Sequence, residues 1–241
     1  HMESCSESAR QLSRLLLESV SPYHCILTAA GILEEAGFTR LNLTGAWQLE
    51  SNHGYYIPVF DSSLIAFTVG EDCGCVPSLR MEAAHTDWPC LRLKPSPEVP
   101  AGSYGKLNVE VYGSPILSTW MDRPLSMAGK VCVRGENPFA PQIRFIDVTR
   151  PVALIPNLAI HMKREAGGGT ALNPQSDMLP ILTLLTEEAD RQNYLLNLLA
   201  EKAGCRSGEI LDYDVCLYNL DPCTLLGLEE EFFTAPRIDN L

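Results

Sequence analysis

Lys94-Pro95-Ser96-Pro97-Glu98-Val99-Pro100-Ala101-Gly102 is the stretch that divides this chain. Proline fixes φ and carries no backbone donor, so a proline-rich run interrupts regular structure and reads as a boundary. The hydrophobic pattern changes across it. Upstream, helical and strand periods alternate; downstream, strand-like runs dominate. The expectation is an α/β first domain over residues 1–94, a separate β-rich body over 95–235, and a return of 236–241 to the first domain.

Upstream of the break, Leu12, Leu15, Leu16 and Val20 recur at helical spacing. A second helix is better marked. Ser21 suits the N-cap, Pro22 the first helical position, and Gly37 the C-terminal stop. Between them Ile26, Leu27, Ala30 and Leu33 form one apolar face. Tyr55–Phe60 and Leu64–Val69 read as strands joined by Asp61-Ser62-Ser63. Leu79–His85 reads as a third strand with Met81, Ala83 and His85 on one face. That places His85 where a strand gives way to a loop, a common position for site residues on α/β scaffolds.

Downstream, Leu107–Tyr112, Lys130–Arg134, Ile143–Val148, Val152–Ile155 and Ile210–Tyr218 read as strands, with Leu158–His161 a further candidate. Thr186–Ala203 reads as a helix and Gly167-Gly168-Gly169 as a flexible loop. Arg92 and Lys94 alternate with Leu91 and Leu93, as on a solvated strand face.

Composition narrows the function. The 241 residues carry 18 Lys plus Arg against 30 Asp plus Glu, a net charge of −12, which opposes binding to nucleic acid or an anionic membrane. No apolar run is long enough to span a bilayer. The first residues lack the basic segment and apolar core of a signal peptide, and His1-Met2 reads as a tag remnant. The 9 cysteines are odd in number and irregularly spaced, which fits free thiols in a reducing cytoplasm.

The chemistry concentrates in Ala83-Ala84-His85-Thr86-Asp87 and in Pro236-Arg237-Ile238-Asp239-Asn240-Leu241. In an extended segment residues i and i+2 share a face, so the Asp87 carboxylate can accept from one ring nitrogen of His85 and free the other for a metal. Asp239 is either a helix cap or a carboxylate able to bridge two metal ions. His161 ends an apolar run and reads, on its own, as a surface residue. Glu229-Glu230-Glu231 reads as a solvated charge run, and His24 and His53 as residues without chemistry. P-loop, dinucleotide and nucleophile-elbow motifs are absent from the sequence.

Taken in order, several segments resemble the aspartyl aminopeptidases, cytosolic dinuclear zinc exopeptidases. They are Ser21-Pro22-Tyr23-His24, Ala84-His85-Thr86-Asp87, Leu91-Arg92-Leu93-Lys94-Pro95, Asn108-Val109-Glu110-Val111-Tyr112-Gly113 and Thr119-Trp120-Met121-Asp122-Arg123-Pro124-Leu125. Ile155-Pro156-Asn157-Leu158-Ala159-Ile160-His161, Leu172-Asn173-Pro174-Gln175 and Pro236-Arg237-Ile238-Asp239-Asn240 complete the series. The resemblance implies a mixed-sheet α/β zinc-exopeptidase catalytic domain interrupted by a β-rich dimerisation domain. It implies two zinc ions, with His85 a ligand, Asp87 its orienting carboxylate and Asp239 the bridging carboxylate. His161 would enter a neighbouring subunit's active site and meet substrate there. Peptides with acidic N-terminal residues are the implied substrates, and a homo-oligomer, a dimer or an assembly of dimers, is the implied state.

Trp88 departs from the family pattern, which has a small serine after the His-Thr-Asp triplet, and Gly167-Gly168-Gly169-Thr170 departs from its usual loop. Family members continue past the bridging aspartate with a Glu-Glu pair, whose first glutamate is the general base, and with an aspartate and a late histidine ligand. A chain ending at Leu241 has none of these, and is expected alone to be catalytically silent. The alternative expectation is an inactive fragment that serves as an oligomerisation module.

Overall fold

The computed structural model describes residues 2–71, 79–158, 171–186 and 192–239. It is mixed α/β and separates into two compact units, His1–Trp88 with Ile238–Leu241, and Pro89–Arg237.

The first unit contains α1 (Met2–Glu18), α2 (Pro22–Glu35), β1 (Thr39–Arg40), β2 (His53–Val59) and β3 (Ser63–Val69). Helix α2 begins and ends as its local sequence dictates. Ser21 Oγ accepts from the His24 amide at 3.3 Å, and Pro22 opens the first turn. At the other end Gly37 takes φ +84°, its amide donates to Glu34 O, and the Phe38 amide donates to Leu33 O. This paired closure satisfies the last carbonyls and needs the left-handed residue that glycine supplies. Strand β2 is the spine of a three-stranded sheet, parallel to β1 and antiparallel to β3, with Tyr55, Tyr56 and Ile57 buried.

The strand expected at Leu79–His85 does not form. Residues 79–85 carry no regular structure and lie exposed, Leu79 at 79% and Met81 at 77%. Alternation gives a segment two faces, but a strand also requires a neighbour to complete its backbone hydrogen bonds. Among the described residues none pairs with this segment.

The second unit is built on six antiparallel strands: β4 (Cys90–Ala101), β5 (Tyr104–Tyr112), β6 (Leu125–Val133), β7 (Gln142–Asp147), β8 (Ile181–Leu184) and β9 (Ile210–Asn219). Their order is β7-β6-β9-β4-β5-β8. One face carries the core, where Leu91, Leu107, Val109, Leu125, Met127, Val131, Val215 and Leu217 meet Leu195, Leu199 and Ala203 of α3 (Tyr194–Ala203). A Cβ added to Gly129 of β6 would lie 2.1 Å from the backbone oxygen of Asp214 on β9, so only glycine permits this approach. A small hairpin, β10 (Thr224–Leu226) and β11 (Phe232–Thr234), carries exposed Glu229–Glu231 at its turn.

The proline-rich stretch lies inside β4. Leu91 and Leu93 pair with Val111 and Val109 of β5; the register then shifts and resumes with Glu98 opposite Leu107. On the other side β9 pairs with β4 only at Leu91 and Arg92. Pro95 and Pro97 therefore occupy a bulge past the end of the second ladder, where no partner requires their missing donors. The strand crosses the break that the sequence suggests. Of the helix expected at Thr186–Ala203, α3 forms over Tyr194–Ala203, and residues 187–191 lie outside the described set. Val152–Ile155 contributes single bridges, Ala153 to Leu125 and Leu154 to Ile181.

Candidate active site

His85, Asp87 and Asp239 belong to the same compact unit. His85 Nδ1 lies 2.7 Å from the backbone oxygen of Asp87 and 3.3 Å from its carboxylate Oδ1. The shorter contact makes Nδ1 the protonated nitrogen, donating to the main-chain carbonyl of Asp87. Sequence spacing assigns that acceptor role to the Asp87 side chain; the carbonyl of the same residue takes it, with the carboxylate close behind. Nε2 then presents its lone pair, and Asp239 Oδ2 lies 3.7 Å from it.

Thr86 fixes the segment from below. Its hydroxyl donates to Ser62 O, in the turn between β2 and β3, at 2.8 Å. Sequence reasoning missed this role, because nothing in the pattern of either segment shows that they meet. The three site side chains are partly open to solvent, at 44% for His85, 34% for Asp87 and 30% for Asp239. Trp88, which follows them, is half-buried.

An imidazole nitrogen and a carboxylate oxygen 3.7 Å apart match the spacing of two donors around one zinc ion, each bond being about 2.0–2.2 Å. The donor chemistry suits zinc as well. Among the described residues, however, no group of three or more His, Cys, Asp or Glu side chains is placed to hold a metal. His161, the remaining residue singled out from the sequence, lies outside the described residues.

In the second unit, Arg237 roots the chain just before Ile238. It is 7% exposed, donates to Asn219 O at 2.8 Å, and stacks its guanidinium 5.1 Å from the Tyr218 ring centre. Burial lowers its pKa from the usual arginine value, without bringing it near neutrality. Arg92 and Lys94 are partnered and not simply solvated. Arg92 bonds Asp214 at 2.7 Å and lies over Tyr112, and Lys94 donates to Gln175 at 3.0 Å. His24 and His53 bond Ser21 and Thr39, which gives them structural roles. Cys25, Cys90, Cys132, Cys205, Cys216 and Cys223 are all free thiols.

A zinc-protease half-site on a mixed α/β scaffold is thus the class that fold and donors define. The chain belongs to the aminopeptidase I zinc metalloprotease (M18) family, whose family model matches residues 15–241. It is 41% identical over 236 residues to the "Probable M18 family aminopeptidase 2" of Clostridium acetobutylicum, covering 98% of this chain and 54% of that protein. It is similar to a chain of the cryo-EM structure of the Ape4 and Nbr1 complex, with TM-score 0.92, 30% identity, and coverage of 98% and 48%. The fold is also that of S. cerevisiae mApe1, solved as a dodecamer, with TM-score 0.72, 21% identity, and coverage of 95% and 52%. The chain spans about half the length of the curated relatives it matches.

Proposed function

We propose that the whole protein is a dinuclear zinc aminopeptidase that removes Asp or Glu from peptide N-termini. One observation carries this reading. His85 Nε2, its tautomer set by Asp87, faces Asp239 at 3.7 Å within one compact unit, although the two lie near opposite ends of the sequence. His85 and Asp239 would hold zinc, and Asp87 would keep the imidazole oriented and basic. Bound zinc supplies polarisation of the scissile carbonyl and a bound water of lowered pKa. A family-type glutamate outside these residues would move the proton from that water to the leaving amine.

The same reading makes residues 95–235 a dimerisation domain, His161 a substrate contact in a neighbouring subunit, and the assembly a cytoplasmic homo-oligomer. The resemblance supports the His161 role, and the mApe1 dodecamer supports self-association. The net charge of −12 and the absence of any described helix long and apolar enough to cross a membrane agree with action on peptides in solution. A second reading, an inactive oligomerisation module, is favoured by the lack of a three-donor cluster among the described residues.

The test is hydrolysis of aspartyl, glutamyl, leucyl and lysyl anilides by the full-length protein, beside its His85→Ala and Asp239→Asn variants. Acidic anilides should turn over fastest, and both variants should lose zinc and activity together. Turnover indifferent to His85 would refute the assignment. An assembled protein without turnover on any substrate would establish the second reading.

A further inference from the structure

We infer that Asp122 is a positioning residue for the segment that carries His161, with Asp177 securing the far end of that segment. The inference rests on the role proposed for His161. Asp122 lies beyond the short helical turn Leu117–Trp120 and has φ +58°, a left-handed conformation unusual for a residue with a side chain. Two hydrogen bonds hold it there. Its amide donates to Ile155 O at 2.8 Å, and its carboxylate Oδ1 accepts from the Asn157 amide at 2.8 Å. One residue thus grips two alternate positions of the strand-like run that leads to His161.

At the other end, Asp177 Oδ2 accepts from the Asn173 amide at 2.8 Å, while the Asp177 amide returns a bond to Asn173 O at 2.9 Å. Both ends share one small cavity, lined by Pro156, Asn157, Leu158, Leu172, Ser176 and Asp177. The chain therefore leaves at Leu158 and returns at Leu172 beside the same spot, with an aspartate bonded to a backbone amide at each root. Asp122 and Asn157 are both exposed, so their bond contributes little to global stability. Its consequence is geometric: it fixes where the chain points as it departs. Small displacements of a substrate-contacting group lower the rate far more than they lower stability.

Two variants isolate the carboxylate. Asp122→Gly accepts the positive φ and removes the acceptor; Asp122→Asn keeps both the tolerance for that backbone and a side-chain oxygen that can accept. In the full-length protein Asp122→Gly should lower kcat/KM on an aspartyl anilide about tenfold or more, and Asp122→Asn should stay within about threefold of the parent. Combined with His161→Ala, Asp122→Gly should cause no further loss, because the group it positions is gone. Hydrogen exchange at the Asn157 amide should accelerate in Asp122→Gly and not in Asp122→Asn. If His161→Ala lowers activity and Asp122→Gly adds its full loss on top, or causes none, the positioning role is wrong while the role of His161 stands. If His161→Ala has no effect, both fall.

Discussion

At the scale of single residues, the site depends on groups that never meet a ligand. His85 is useful to a metal only while Nδ1 stays protonated, and the acceptor that keeps it so is a backbone carbonyl, which no side-chain substitution removes. Asp87→Asn should therefore weaken zinc binding in the full-length protein by less than the loss of a sole orienting acceptor would, about tenfold or below. Thr86 matters differently. Its hydroxyl bond to Ser62 O ties the His85 segment to the β2–β3 turn, and valine keeps the shape while deleting the donor. Thr86→Val should cost about 1 kcal/mol of stability, leaving Ser62 O without that partner. It should also weaken zinc binding, and Thr86→Ser should restore it. Competition titration against a chelator reads the affinity, and thermal melting reads the stability. Unchanged affinity in Thr86→Val would show that the tie to Ser62 does not set the position of His85.

At the scale of elements, two non-local contacts test the β-rich unit. Helix α3 starts after Asn193, which is left-handed and offers no side-chain cap. Glu98 of β4 replaces it: its two carboxylate oxygens accept from the Asn193 and Leu195 amides at 2.7 Å each. Glu98→Ala strands both donors and should destabilise the unit by about 2 kcal/mol, against a few tenths to 1 kcal/mol for most surface truncations. Gly129→Ala should cost as much or more, about 1–3 kcal/mol, because its Cβ would press on the backbone of a neighbouring strand that cannot swing away. Urea denaturation of each variant measures both, and a loss below 0.5 kcal/mol in either would contradict the packing described. These contacts also show what sequence can convey. The limits of α2 were legible because Ser21, Pro22 and Gly37 act on their own neighbours. The reading of Pro95–Pro100 as a break failed because the harm of a proline depends on whether a partner strand needs its amide, which is information from β9 and β5. His85 and Asp87 stood out together because two residues separate them, whereas Asp239 was distinguishable from a helix cap only by resemblance. Thr86 to Ser62, Asp122 to Asn157 and Glu98 to α3 join segments whose patterns carry no trace of one another.

At the scale of the whole molecule, the two units should respond differently to conditions. The β-rich unit holds three tyrosines whose hydroxyls donate inward: Tyr194 to Lys106 O, Tyr213 to Lys94 O, and Tyr218 to Asp147. Burial, aided by nearby carboxylates, pushes Tyr194 and Tyr213 up to about 12 and raises Tyr218 further. The folded state therefore holds these protons more tightly than the unfolded chain, whose tyrosines titrate near 10. Their contribution is complete below pH 10 and is lost as pH climbs through about 12, so stability falls with rising pH in that window. Alkaline unfolding should coincide with the rise of tyrosinate absorbance, and Tyr218→Phe should blunt it. The first unit should be more sensitive to metal. Zinc in proteins generally takes four ligands, at least three of them from the chain. Here the described side chains bring together His85 and Asp239, with Asp87 engaged behind the imidazole, and form no larger donor cluster. Two donors at partly exposed positions do not compete with water and buffer for long, since each missing ligand lowers affinity steeply. A dialysed preparation of these 241 residues alone should retain well under one zinc per chain and hydrolyse no aspartyl anilide above the blank. Elemental analysis before and after dialysis, with His85→Ala as the control, decides it. Two tightly held ions lost in that variant would mean that other donors, from the residues outside those described or from a second chain, already complete the site.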